Sequence, residues 1–251
     1  VLMQKSVKKK CSVVAILGKP NSGKSTLFNA LIGSKLSAVS RKKHTTRNSL
    51  EGVLTEGPCQ FIFVDSPGLT HRSHESNQLN TLMNRQAKLA SLEADSICYL
   101  VSNDVGLSDF DKNYLLKLSE NKKTHIRILL TKEDRKKKSF VREVLGETTK
   151  QLLETLGEKK LPSHIQVQSF SAKNKEHLKA LTSDLSEVAN EGEWLFAEDT
   201  ITNERESFLV SERIREHLIR NLGCELPQTT AVKVEKIEET KSCIRVSALI
   251  A

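Results

Sequence analysis

The sequence predicts an α/β fold, a parallel sheet with flanking helices, followed by a smaller, partial α+β unit. Three observations lead there. Apolar strand segments alternate with amphipathic helical segments up to about residue 186. A glycine-rich run, Gly18-Lys19-Pro20-Asn21-Ser22-Gly23-Lys24-Ser25-Thr26, sits between an apolar strand (residues 12–17) and an amphipathic helix. Three further polar loops then arrive at the ends of apolar strands, the edge of an α/β sheet where ligands bind.

The first strand and its loop carry the strongest signal, and they assign the fold to the P-loop NTPases. The glycines let successive backbone N–H groups turn inward on a β-phosphate, and the N-terminus of the following helix adds its partial positive charge. Lys24 would reach the β and γ oxygens, and the Ser25 hydroxyl would ligate magnesium. The next strand pair falls near residues 50–55 and 60–65 and ends in Asp65-Ser66-Pro67-Gly68. This D-x-x-G places Asp65 to hold magnesium through water and the Gly68 amide to sense the γ-phosphate. Residues 40–48 form a basic polar loop too long for a tight turn and read as a first switch segment. One hydroxyl there, Thr46, would complete the magnesium shell only when the γ-phosphate is present. His44 in the same loop reads as exposed and without a catalytic role.

A helix is expected over residues 78–92, with Leu79, Leu82, Met83, Gln86 and Leu89 at helical spacing, and a strand follows near 96–102. The strand at 126–130 ends in Thr131-Lys132-Glu133-Asp134. A carboxylate at Asp134 accepts from both N1–H and the 2-amino group of guanine, whereas adenine offers neither donor. Such unpaired polar groups discriminate by about 10⁴. The strand near 165–169 ends in Ser171-Ala172-Lys173, where the Ala172 amide would meet the guanine O6. The residues so assigned to nucleotide binding are Gly18, Lys19, Pro20, Asn21, Ser22, Gly23, Lys24, Ser25, Thr26, Asp65, Gly68, Thr131, Lys132, Asp134, Ser171, Ala172 and Lys173. The metal set is Ser25, Thr46 and Asp65, and the catalytic set is Lys24, Thr46 and Gly68. Hydrolysis of GTP to GDP and phosphate would proceed without a covalent intermediate.

Residues 1–186 are assigned to the nucleotide-binding domain, and an irregular polar segment at 187–202, containing Gly192 and Trp194, to a linker. A helix over 203–221 and strands near 229–238 and 242–250 make up the second unit, 203–251.

These residues resemble the Era-type GTPases, a family that assists assembly of the small ribosomal subunit. The likeness rests on the Gly18 to Thr26 loop, on Ser40-Arg41-Lys42 with Thr45-Thr46-Arg47, and on Asp65-Ser66-Pro67-Gly68-Leu69. It rests also on residues 211–218 through 222–227, which look like the entry to that family's KH domain. The resemblance implies GTP and GDP with Mg²⁺ as ligands, and ribosomal RNA (16S) and the small subunit as partners. It further implies a monomer in the cytoplasm, with peripheral contact at the inner face of the membrane. By likeness to related GTPases, Asn21 would ligate a potassium ion. Two departures stand out. Thr131 replaces the usual asparagine, and its hydroxyl is too short to bridge phosphate loop and base together. The likeness also places Ala251 inside the second strand of a truncated KH fold, so the family's G-x-x-G clamp for RNA is not among these residues. Leu69 follows Gly68 where Ras-like enzymes carry a glutamine, which implies slow intrinsic turnover. Two alternatives remain open: a nucleotide-bound interaction module with little hydrolysis, and a related GTPase of tRNA modification or large-subunit assembly.

Composition agrees with this reading. The 251 residues carry a net charge of +8, and the charge is uneven. Residues 1–186 hold 31 Lys and Arg against 18 Asp and Glu, whereas the remainder holds 8 against 13. Any attraction to nucleic-acid phosphate is therefore expected from the nucleotide-binding domain, for example from residues 135–138 and the basic loop at 40–48, or from sequence after Ala251. The five cysteines are odd in number and lack C-x-x-C spacing, so neither a disulfide framework nor a metal cluster is expected, and a reducing cytosol fits. No apolar run approaches the roughly 18 residues of a membrane span, so a soluble, unsecreted protein is expected.

Overall fold

The computed structural model describes residues 8–40, 45–46, 48–70, 78–221, 230–240 and 243–251. The sequence-derived assignments to Arg41, Lys42, His44, Arg47 and residues 222–227 lie outside them. The elements run β1 (Lys10–Gly18), α1 (Lys24–Ile32), β2 (Leu50–Glu56), β3 (Cys59–Asp65), α2 (Gln78–Glu93) and β4 (Ser96–Ser102). They continue as α3 (Asp109–Ser119), β5 (His125–Thr131), α4 (Lys138–Leu156), β6 (Ile165–Ser169), α5 (Lys175–Val188) and β7 (Asn190–Glu191). The chain closes with α6 (Glu206–Asn221), β8 (Val232–Glu239) and β9 (Ile244–Ile250).

The main sheet has the order β2-β3-β1-β4-β5-β6, and β7 pairs with the start of β1. All pairs along this order are parallel except β2 with β3, an antiparallel hairpin whose register sets Leu50 opposite Asp65. After β3 the chain crosses to the far side of β1 to lay down β4. The C-terminal end of β1, where Gly18 opens the phosphate loop, is therefore the point at which the winding reverses, and crevices form there.

Central strands are buried on both faces, which is why they read as apolar runs instead of alternating patterns. Alternate β1 side chains enter opposite cores. Val14 and Ile16 pack with Phe28, Leu31, Phe63 and Leu185, whereas Ala15 and Leu17 pack with Ile97, Tyr99, Ile128 and Leu152. Gly52 on β2 permits α1 to approach closely: a Cβ there would lie 2.7 Å from the Phe28 ring and 2.8 Å from Ile32.

The sequence-derived face of α2 is corrected in part. Met83 is core as expected, but its buried companions are Ala87, Ala90 and, just past the helix, Ala94. Leu82 and Leu89 face solvent. Small residues let this helix lie close to the sheet, so the larger leucines end on the outside. Hydrophobic size pulled the expected face round by about one residue, from 82, 86 and 89 to the buried 83, 87 and 90.

In the second unit α6 carries the antiparallel hairpin of β8 and β9, to which the Ser211 hydroxyl is linked by accepting the Val234 N–H at 3.2 Å. Within a turn of Ser211, Phe208 and Leu209 of the same helix pack on the first unit, lying against the core around Phe28 and Leu36. No helix among the described residues is long and apolar enough to cross a membrane.

Candidate nucleotide-binding site

The loop between β1 and α1 adopts backbone shapes that few side chains tolerate. Gly18 has φ +139° and Gly23 φ +105°, and Asn21 is left-handed at φ 64°. At Gly18 a Cβ would lie 2.4 Å from the Leu100 carbonyl, so the loop sits directly on β4. The Ser66 hydroxyl donates to the Ile16 carbonyl at 2.8 Å, and the Leu69 N–H donates to the Gly18 carbonyl at 3.1 Å. These bonds bring the D-x-x-G segment against the loop so closely that a Cβ on Gly68 would meet the Pro20 backbone nitrogen at 2.8 Å. Leu69 itself is buried in the core beside Ala15 and Leu17.

Lys24 is buried and donates to the Lys19 carbonyl at 2.9 Å. Burial lowers its ammonium to about 8, opposed by the charge of Asp65. An unneutralised buried ammonium is costly, and a phosphate oxygen is the group that relieves it. The Lys19 side chain turns away from this point. Its ammonium pairs with the buried Asp111 at 2.8 Å and donates to Ser108, the N-cap of α3. Tyr99 Oη donates to the other Asp111 oxygen at 2.8 Å. Lys19 thus offers a nucleotide its backbone and braces the loop with its side chain.

The candidate metal ligands converge. Ser25 Oγ lies 3.0 Å from Thr46 Oγ1, although twenty-one positions separate them in the chain. Asp65 is fully buried. One of its oxygens accepts the Ser37 hydroxyl at 2.7 Å, while Oδ1 is buried without a hydrogen bond of normal geometry. Burial pushes this carboxyl up, with the Ser25 and Ser37 hydroxyls and the Lys24 ammonium opposing. One orphaned carboxylate oxygen and two hydroxyls form an all-oxygen set. That set fits magnesium, which takes one or two carboxylates and completes its shell with phosphate and water. Among the described residues no group of three or more His, Cys, Asp or Glu could hold a metal, so a site made wholly of such ligands is not in competition.

At the base-reading end, Lys132 is left-handed at φ 65° and turns the chain into a short 3₁₀ helix holding Asp134. Asp134 accepts from the Ser171 hydroxyl at 2.9 Å and from the Lys173 ammonium at 3.1 Å. Burial pushes this carboxyl up, but those two bonds outweigh it and hold it below the ordinary value. The Thr131 hydroxyl donates to the Ser22 carbonyl at 2.6 Å. The hydroxyl thus reaches the phosphate loop, which is one side of the bridge to loop and base that, on the sequence, a threonine is too short to make in full.

Two adjoining cavities join these parts. The larger, about 740 Å³, is lined by Pro20, Asn21, Lys24, Ser25, Thr46 and Gly68 among others, and the smaller, about 90 Å³, by Asp134, Ser171, Ala172 and Lys173. Gly23, Thr26, Lys132 and Arg135 border both. Residues that the sequence reading passed over complete the site. Ser37 holds Asp65, and His177 accepts the Ser171 N–H at 3.1 Å while its ring tilts on Phe170. Arg220 of α6 lines the larger cavity. None of the three lies in a motif, and each acts across a sequence gap that spacing does not encode.

The family model described as "50S ribosome-binding GTPase" matches residues 13–132. A protein named GTPase Era from Marinobacter nauticus is 36% identical over 241 residues, covering 96% of this chain and 75% of that protein. The GTPase Era of Xylella fastidiosa is 36% identical over 249 residues, covering 99% and 79%. Among solved structures, Era in complex with MgGDPNP and nucleotides 1506–1542 of 16S ribosomal RNA superposes with a TM-score of 0.84 at 30% identity, covering 96% of this chain and 78% of that one. An Aquifex aeolicus Era variant bound to GDP and AlF4⁻ superposes equally well, at the same identity and coverage.

Proposed function

Because the chain belongs to the Era family of GTPases, we propose that it works as a GTP-driven switch that binds 16S ribosomal RNA and assists small-subunit assembly. The observation that carries the nucleotide part is the convergence of the phosphate loop and the Ser25–Thr46 hydroxyl pair on one cavity and of the Asp134 carboxylate on the cavity adjoining it, with Asp65 buried nearby. The RNA part is supported by the complex solved for a relative and by the basic excess of residues 1–186. The family model's wording points to the large subunit, but that model reaches only residue 132. The Era relatives also match the second unit, which favours the small-subunit reading.

In this reading the backbone of residues 18–25 cradles the phosphates, and the Lys24 ammonium neutralises charge growing on the β and γ oxygens. Ser25 and Thr46, with Asp65 through water, would hold magnesium, which would supply charge neutralisation at the phosphates. Gly68 presents its amide to the γ-phosphate. Asp134 reads the guanine N1–H and 2-amino group, and the Ala172 amide its O6. With Leu69 buried, the attacking water is left to backbone groups, to a neighbouring side chain or to a bound partner, and Asn21 would contribute through a potassium ion. Action in the cytoplasm as a monomer, with peripheral contact at the inner membrane face, completes the reading.

Phosphate release at steady state with GTP or ATP, in potassium and in sodium buffer, tests it. GTP should be preferred by about 10³-fold or more. Lys24→Ala should lose about 10²-fold, since charge-assisted bonds to phosphate disappear. Equal use of GTP and ATP would refute the base-reading role of Asp134, and equal rates in the two buffers would remove potassium.

A further inference from the structure

Helix α6 belongs in sequence to the second unit, yet its last turn forms part of the nucleotide crevice. Ile219 and Arg220 line the same cavity as Lys24, Thr45 and Thr46. The Arg220 guanidinium donates to the Val39 carbonyl from Nη2 at 3.0 Å and from Nε at 3.3 Å. It also pairs with Glu216 Oε1 at 2.5 Å. The Glu216 carboxylate is buried, and its second oxygen lies 2.9 Å from Lys35 Nζ and 3.7 Å from Arg213 Nη1. Neither oxygen has a hydrogen bond of good geometry, so the carboxylate is balanced by surrounding charge. One of those cations, Lys35, comes from the loop after α1, and the other two come from α6.

A cluster of half-exposed cations around one buried carboxylate contributes little net stability, and its use is to fix register. Here the register set is that of Arg220 against Val39. The next residue, Ser40, has its hydroxyl 2.7 Å from that of Thr45, and Thr46 then stands 3.0 Å from Ser25. The clamp on Val39 is therefore one residue from Ser40, whose hydroxyl meets that of Thr45, the neighbour of Thr46.

We propose that Arg220 is a positioning residue for the metal-binding hydroxyl of Thr46, acting from the second unit through the Val39 carbonyl and aligned by Glu216. The inference rests on the reading of this crevice as a site for GTP with magnesium. Because Thr46 is engaged only when a γ-phosphate is present, loss of the clamp should weaken the magnesium-dependent hold on a triphosphate and spare the diphosphate.

The test uses the full chain and fluorescently labelled GDPNP and GDP, with dissociation measured over a range of Mg²⁺ concentrations. In Arg220→Gln the Mg²⁺ concentration that half-maximally retains GDPNP should rise about 10-fold, the loss expected for charge-assisted bonds. Retention of GDP should stay within about twofold. Arg220→Lys, which can still donate to Val39 and pair with Glu216, should recover most of the wild-type behaviour. An unchanged Mg²⁺ dependence in Arg220→Gln, or an equal shift for GDP and GDPNP, would overturn the inference. Failure of the wild-type chain to retain GDPNP at any Mg²⁺ concentration would instead overturn the reading of the site, and the inference with it.

Discussion

At the scale of single residues, the electrostatics of the phosphate loop are concentrated in Lys24. Burial takes its ammonium from the ordinary 10.5 down to about 8. In the unliganded protein the unfolded chain thus holds this proton up to about pH 10.5 while the folded state releases it near 8. Between those values the unfolded state binds more protons, so the stability of the unliganded protein should rise with pH through that window. Nucleotide reverses the preference, because a phosphate oxygen beside Lys24 favours the charged form. Affinity for GDP should therefore be flat with respect to this group below pH 8 and fall as pH increases beyond it, approaching tenfold per unit. Calorimetry of GDP binding at pH 9 in two buffers of different ionisation enthalpy should reveal proton uptake. Zero uptake, together with an affinity that does not fall above pH 8, would show that Lys24 is already fully protonated in the unliganded site.

At the scale of elements, legibility followed burial. Strands β1, β3, β4 and β5 were readable because burial on both faces makes them continuous apolar runs, and the loops at their ends were readable because phosphate and guanine impose residue types at fixed offsets. The antiparallel pairing of β2 was not readable, since strand direction is decided by connection geometry and not by composition. The buried face of α2 was half readable: periodicity found Met83, but alanines at 87 and 90, not the neighbouring leucines, touch the sheet. Ser37, His177 and Arg220 entered the site only through tertiary contact. Close helix–sheet approach also explains Gly52, whose added methyl would press on the fully buried Phe28 and on Ile32. Both neighbours are side-chain atoms within the core around α1, with little room to yield. Gly52→Ala should cost about 1–3 kcal/mol as overpacking, read as a lower urea midpoint with an unchanged slope. A midpoint at the wild-type value would mean that α1 can shift outward freely.

At the scale of the whole molecule, the segment expected to be a linker is stitched to the sheet along much of its length. β7 pairs with the start of β1, and the Gly192 N–H donates to the Lys9 carbonyl at 3.0 Å. Trp194 Nε1 donates to the Pro58 carbonyl at 3.1 Å, with the Lys9 ammonium 4.6 Å from the centre of its ring. Further on, the Val53 N–H donates to the Ile201 carbonyl at 2.9 Å, and the Thr202 hydroxyl to the Glu51 carbonyl at 2.7 Å. The centre of this strap is one side chain. Gln60, fully buried on β3, accepts the Leu195 and Phe196 N–H groups at 2.9 and 3.0 Å and donates to the Phe196 carbonyl at 3.0 Å. The β2–β3 hairpin that bears the strap also lies between Thr46 and the Asp65–Gly68 segment in the chain, so α6 is held relative to the nucleotide crevice through the hairpin as well as through Arg220. Gln60→Leu keeps the apolar bulk but leaves three backbone groups of the strap without their partner. A loss of about 2 kcal/mol is expected, or a fall of roughly 4–8 °C in the melting temperature for a unit of this size. The chain holds a single tryptophan, and it sits on the strap, so its emission separates local release from global weakening. A red shift in Gln60→Leu well below the melting transition would mark a strap that has lifted while the sheet stays folded. Wild-type emission and melting would mean that β7 and the Val53–Ile201 pair hold the strap without Gln60.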